Sequence, residues 1–197
     1  SVRADLVTEE NATLMREMNV GIVNMGLESG SNRVLKYLKG PSADVEKSRK
    51  AISILKKAGL QVSGSFIIGS PDETREEVLA TLDFIKKSNL DLFEVYVLVP
   101  FPGTPIWQHA LEMGLVSNDM DWGLLNIDFS ISQDQAIILS ERLSRKELIG
   151  LYELFQKERR RRYLRLMVLS GLRHPGKIIP FIKSKIKYAL MSRGNHQ

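Results

Sequence analysis

The run Gly26-Leu-Glu-Ser-Gly-Ser31 ends an apolar stretch, Ile22-Val-Asn-Met-Gly-Leu27, with a carboxylate and two hydroxyls set among glycines. Glu28 is an acceptor for hydroxyl or amide protons, and Ser29 is a compact donor and acceptor. Such groups at the mouth of a buried strand suit a small polar ligand. They also suit a turn in which Glu28 caps the chain that follows. Gly26 and Gly30 permit either a close approach of backbone to a ligand or a sharp bend. Two more clusters end apolar stretches in the same way: Gly69-Ser-Pro-Asp-Glu73 and Pro100-Phe-Pro-Gly-Thr-Pro105.

The elements that must position these clusters alternate along the first hundred residues. Thr8 can cap a helix whose inner face is Leu14, Met15 and Met18, ending near Asn19. Residues 20–27 read as a strand. Ser42 can open a second helix, with Val45, Ile52 and Leu55 at helical spacing and Gly59 placed to stop it. A strand over 61–69 follows. Thr74-Arg-Glu-Glu77 then has the form of a capping box, ahead of Val78, Leu82 and Ile85. A third strand covers 92–100. The strands read as continuously apolar, as expected when both faces are covered. Repeated strand–helix–strand units imply a parallel sheet, either open and doubly wound or a closed or partial barrel. In each case ligands sit at the carboxyl ends of the strands, so the three polar clusters should share one rim.

Three segments in order, MGLESGSNRVLKYLKG, GSFIIGSPDETREEV and VPFPGTPIW, resemble the later half of a radical S-adenosylmethionine (radical SAM) enzyme core. The likeness covers roughly residues 1–125 and extends to the opening VRADLVTEENATLMREMNVGIVNMGLESG. It has the flavour of the branch that often carries an N-terminal cobalamin-binding domain. The resemblance implies an α/β fold, a partial (half) parallel β/α barrel of the radical SAM type followed by a C-terminal helical extension. The expected division is 1–125 for the half barrel and 126–197 for a basic, mainly helical extension.

The implied cofactors are S-adenosylmethionine, a 4Fe-4S cluster and, in that branch, cobalamin. The family binds the cluster through a Cys-x3-Cys-x2-Cys loop, and this chain contains no cysteine. It also opens where the family's third strand would be ending. The expectation is therefore a piece of a longer oxidoreductase or transferase, holding the fourth to sixth strands and inactive alone. The alternative is a non-catalytic α/β binding module that docks through its basic tail.

By the same resemblance, Glu28 and Ser29 match the motif that reaches the ribose and the nearby methionine end of S-adenosylmethionine, flanked by Gly26 and Gly30. Ile67 and Gly69 fall in the segment that holds adenine through main-chain and apolar groups. Val99, at the end of the last strand, packs against it. The match to the family's G-x-I-x-G-x-x-E motif puts Asp72 in the acidic slot and Ser65 in the first glycine slot. Asp72 and Glu73 also have a full explanation as a turn and helix cap, and that structural role is the one expected. Arg33 is a candidate partner for a carboxylate, and Phe101 and Thr104 for substrate.

The net charge of +5 conceals a division. Residues 1–141 carry 13 Lys/Arg against 20 Asp/Glu, whereas residues 142–197 carry 15 against 3. Ser144-Arg-Lys-Glu147 has capping-box form and leads into Leu148, Leu151, Leu154 and Phe155, then KERRRRYLR. A second amphipathic segment is expected over 174–193. The tail has three readings: a helical subdomain with solvated charges, an anionic membrane surface, and nucleic acid, the last disfavoured by sparse aromatic residues. The partner expected of the whole protein is a small or lipid-like substrate; this chain by itself is expected either to pair into a homodimer through its exposed strand edge or to cover that surface with its C-terminal helices. No run approaches the roughly 18 apolar residues of a membrane span, and the charged N-terminus lacks a signal-peptide core. The location expected is cytoplasmic, with peripheral membrane attachment through the tail. Three scattered histidines and no cysteine leave no metal-ligand pattern.

Overall fold

The computed structural model describes residues 1–126, 129 and 134–173. Three strands, β1 (Ile22–Glu28), β2 (Gln61–Ile68) and β3 (Leu92–Val97), form one parallel sheet in the order β1-β2-β3. Among the described residues, six α-helices accompany them: α1 (Glu9–Glu17), α2 (Asn32–Lys39), α3 (Val45–Lys57), α4 (Arg75–Lys87), α5 (Pro105–Glu112) and α6 (Arg145–Arg173). The result is a small, unclosed parallel sheet surrounded by helices, the partial barrel and helical extension that the sequence implied. The chain divides into two compact units, Ser1–Arg159 and Arg160–Gln197.

Local chemistry accounts for most element boundaries. Thr8 and Thr74 both close reciprocal capping boxes, with Asn11 and Glu77 as the returning partners. Ser144 and Glu147 make the same exchange at the start of α6. Gly59 takes φ +78° just past α3, a conformation that favours glycine. Other boundaries differ from expectation. Asp44 rather than Ser42 caps α3, by accepting from the amide of Glu46. The face of α1 that packs inward is Ala12 and Met15, while Leu14 and Met18 are exposed. Two short helices, α2 capped by Ser31 and α5 capped by Thr104 with Pro105 in its first turn, lie outside the helices expected from the sequence. The segment 174–193 lies outside the described residues.

The sheet is not apolar on both faces. Val23, Met25 and Leu27 of β1, Val62, Phe66 and Ile68 of β2, and Phe93, Val95 and Val97 of β3 are buried. Phe66 meets Phe84 of α4 and Phe93 edge-on at 5.9 and 6.4 Å. Most alternate positions are only half-buried, and their residues are often polar: Gly26 and Glu28, Ser63, Ser65 and Ile67, Glu94 and Tyr96. The strand pattern is therefore an alternation, with one face packed against the apolar core and the other left for a site.

The free side of β1 is blunted. Val2 bridges to Met25 and donates its amide to the carbonyl of Asn24 at 2.9 Å. Two residues on, Lys39 donates to the carbonyl of Gly26 at 2.6 Å. A charged amine seated on a strand edge discourages pairing by another strand.

Candidate functional site

A cavity of about 800 Å³ opens at the carboxyl ends of the three strands. Glu28 from β1, Ile67 from β2 and Tyr96 to Val99 at the end of β3 line it. Tyr37, Leu38 and Lys39 of α2 and Phe101, Thr104 and Ile106 from the start of α5 complete its wall. The first and third polar clusters of the sequence thus meet in one place.

Glu28 is the most unusual residue of this wall. Its φ is +60°, a left-handed conformation that a non-glycine residue adopts at a cost of about 1–2 kcal/mol. It sits on a bulge, where the β1–β2 register slips between Gly26 and Glu28. The turn folds the carboxylate back over Gly26, where a Cβ would collide with Oε1. Gly26 is therefore the residue that makes room for the Glu28 side chain. Burial pushes the Glu28 carboxyl up from its ordinary value, against the opposing pull of Lys39, whose Nζ lies 3.6 Å away. A partly desolvated carboxylate with one flanking ammonium is a strong acceptor for hydroxyl donors on a ligand.

Ser29 and Gly30 are placed differently from the motif-based expectation. Ser29 is 1% exposed, and its hydroxyl lies 3.1 Å from Thr81 Oγ1 while accepting the amide of Ser31. The amide of Gly30 donates to the same threonine oxygen at 2.9 Å. A Cβ on Gly30 would stand 2.7 Å from the Ala80 carbonyl oxygen and the Thr81 Cα. These two residues fasten the end of β1 to α4 and do not line the cavity.

Gly69 has φ +82° and donates its amide to Glu73 Oε2 at 2.6 Å, with Ser70 donating to the same oxygen. Glu73 is fully buried, and its desolvation raises the carboxyl to about 7 against those two amides. Its role is to hold the turn after β2. Arg33 pairs with Glu77 and donates to the Asp72 carbonyl, and that contact holds Glu77 down at about 2. Arg33 thus binds a carboxylate of its own chain.

Ile67, Val99, Phe101 and Thr104 all reach the cavity wall, although Thr104 Oγ1 is also occupied as the cap of α5. Sequence reasoning missed Tyr37, Lys39 and Tyr96. Tyr96 had a signal in the polar–apolar alternation of β3, and Tyr37 and Lys39 had one in the Ser31-to-Gly40 helix signature.

An open parallel sheet surrounded by helices, with a cavity at its carboxyl rim, defines an α/β fold whose strand ends face that cavity. Residues 1–85 match the model of the radical SAM superfamily. It is 40% identical over 122 residues to an uncharacterized methyltransferase of Pyrococcus horikoshii, an alignment covering 62% of this chain and 26% of that protein. It is 28% identical over 184 residues to the tRNA-2-methylthio-N(6)-dimethylallyladenosine synthase of Buchnera aphidicola, covering 85% and 39% respectively. The chain thus spans about a quarter to two-fifths of these relatives. Among solved structures, the radical S-adenosylmethionine methyltransferase TsrM of Kitasatospora setae, with cobalamin and a 4Fe-4S cluster bound, superposes with a TM-score of 0.57. That match covers 77% of this chain and 35% of TsrM at 19% identity, and the likeness is one of fold.

The cofactors of such enzymes fit this chain unequally. No cysteine is present anywhere in the 197 residues, and no cluster of three metal-ligating side chains occurs among the described residues. These residues do not fit an iron–sulfur cluster. The cavity does fit a nucleoside: Glu28 is a half-buried acceptor, and Ile67, Val97, Leu98 and Val99 form an apolar wall. Among the described residues, no helix is long and apolar enough to cross a membrane.

Proposed function

We propose that this chain supplies the ribose- and adenine-contacting side of an S-adenosylmethionine site in a radical SAM oxidoreductase or transferase. The observation that carries the reading is Glu28, held at φ +60° over Gly26 on the wall that it shares with Ile67 and Val99. A strained, partly buried carboxylate persists where the surrounding structure enforces it, and such residues gather at ligand sites. In the proposed pose the ribose hydroxyls donate to Glu28, and the adenine lies on the apolar surface of Ile67 and Val99. Lys39, 3.6 Å away, opposes the burial that raises the Glu28 carboxyl. With no thiolate to hold a cluster, the chain by itself binds the nucleoside without radical chemistry.

Calorimetric titration with adenosine and 2′,3′-dideoxyadenosine tests the reading directly, because neither ligand needs iron. Adenosine should bind and the analogue without the diol should bind far more weakly. Glu28→Gln should lose on the order of tenfold for adenosine, as expected for a charged hydrogen bond, and should no longer distinguish the two. Equal affinity of the unaltered chain for both nucleosides, or binding of neither, would refute the assignment.

A further inference from the structure

A second, independent feature lies beyond Arg159. Residues 160–197 carry ten Lys/Arg and not one Asp or Glu. This unit's own sequence holds no acidic residue, and its formal charge of +10 complements a polyanionic partner. The described part of the unit is the last stretch of α6, and there the cations are interleaved with apolar residues. Arg161, Leu164, Arg165 and Val168 follow one another at three-, one- and three-residue steps, which puts them on one helical face. All four are exposed, Leu164 at 61% and Val168 at 62%. Leu169 and Tyr163 beside them are also exposed.

The two residue types together distinguish one polyanion from another. A nucleic acid would engage the guanidinium groups through its phosphates but would leave Leu164 and Val168 in water. A bilayer with anionic headgroups takes both kinds at once. Arginines reach the phosphate level along their aliphatic stems, while short apolar side chains enter the boundary of the acyl region. We propose that the Arg161–Leu164–Arg165–Val168 face of α6 is a docking surface for an anionic lipid bilayer, on which the helix lies without crossing.

The cysteine-free sequence gives a direct test in the full-length chain. A single environment-sensitive fluorophore on Leu164→Cys should shift to the blue with vesicles of phosphatidylcholine containing about a third phosphatidylserine. It should not respond to phosphatidylcholine alone, and the same label on Glu46→Cys should respond to neither. In co-sedimentation, Arg161→Gln with Arg165→Gln should weaken binding on the order of twentyfold and flatten its salt dependence. Leu164→Asp with Val168→Asp should remove binding while the far-ultraviolet dichroism stays that of the unaltered chain. A duplex RNA bound more tightly than the vesicles, and unaffected by the aspartates, would overturn the proposal in favour of nucleic acid. Binding to neither partner at low salt, or vesicle binding with an unshifted label at position 164, would overturn it as well.

Discussion

Glu73 and Glu28 are both strand-end carboxylates whose surroundings oppose ionisation, yet they serve different ends. Glu28 lines the cavity; Glu73 is sealed from solvent, with one oxygen committed to the amides of Gly69 and Ser70 and the other without a partner among the described residues. Desolvation raises its carboxyl from 4.5 to about 7, so folding takes up a proton there between those two pH values. The stabilisation is complete below pH 4.5 and is lost as pH rises through about 7, a change on the order of 3 kcal/mol. Glu73→Gln keeps an acceptor for both amides and cannot ionise. In urea unfolding across this range, the variant should gain on the unaltered chain as pH rises and then hold level. A stability difference that does not vary with pH would show that Glu73 is ionised throughout.

Elements meet at the end of β1 through contacts that no local pattern announces. Thr81 lies in the middle of α4, yet its hydroxyl shares a hydrogen bond with the Ser29 hydroxyl and accepts the Gly30 amide, more than fifty residues earlier in the chain. Gly30 lets α4 approach, with Phe84 Cβ 2.8 Å from where its Cβ would stand. Gly30→Ala should therefore push α4 off the sheet and lower the unfolding free energy by about 1–3 kcal/mol in urea titration, as overpacking does. An alanine variant of unchanged stability would show that the helix can move aside. The same geometry explains what the sequence made legible. Apolar runs and threonine caps located the strands, α1, α4 and the rim, because those signals are local. Glu28 was legible as a polar residue ending an apolar strand, and Ile67 and Val99 as its apolar neighbours. Ser29 and Gly30 were not, since a hydroxyl and a glycine serve a ligand or a packed helix equally well, and only the distant Thr81 decides. The half-buried face was overlooked for a different reason. Ser63, Ser65 and Tyr96 alternate with larger apolar residues, and a search for apolar runs passes over that period of two.

At the scale of the whole molecule, charge and core divide at nearly the same point. Every described member of the two apolar clusters lies at or before Phe155. Residues 1–159 hold 18 Lys/Arg and 23 Asp/Glu, a formal balance of −5, against +10 for the remainder. A chain ending at Arg159 keeps the cavity wall, the Glu28 bulge and the described core, and it loses the proposed lipid-binding face. It should unfold in urea with the midpoint and slope of the full chain, because the slope follows the surface exposed on unfolding and little of the core is removed. It should bind adenosine as before, move from a cation to an anion exchanger at neutral pH, and no longer sediment with anionic vesicles. Retained vesicle binding would place the lipid contact in the acidic unit, where the excess of carboxylates argues against it. Loss of cooperative unfolding would instead make Arg160–Gln197 part of the fold.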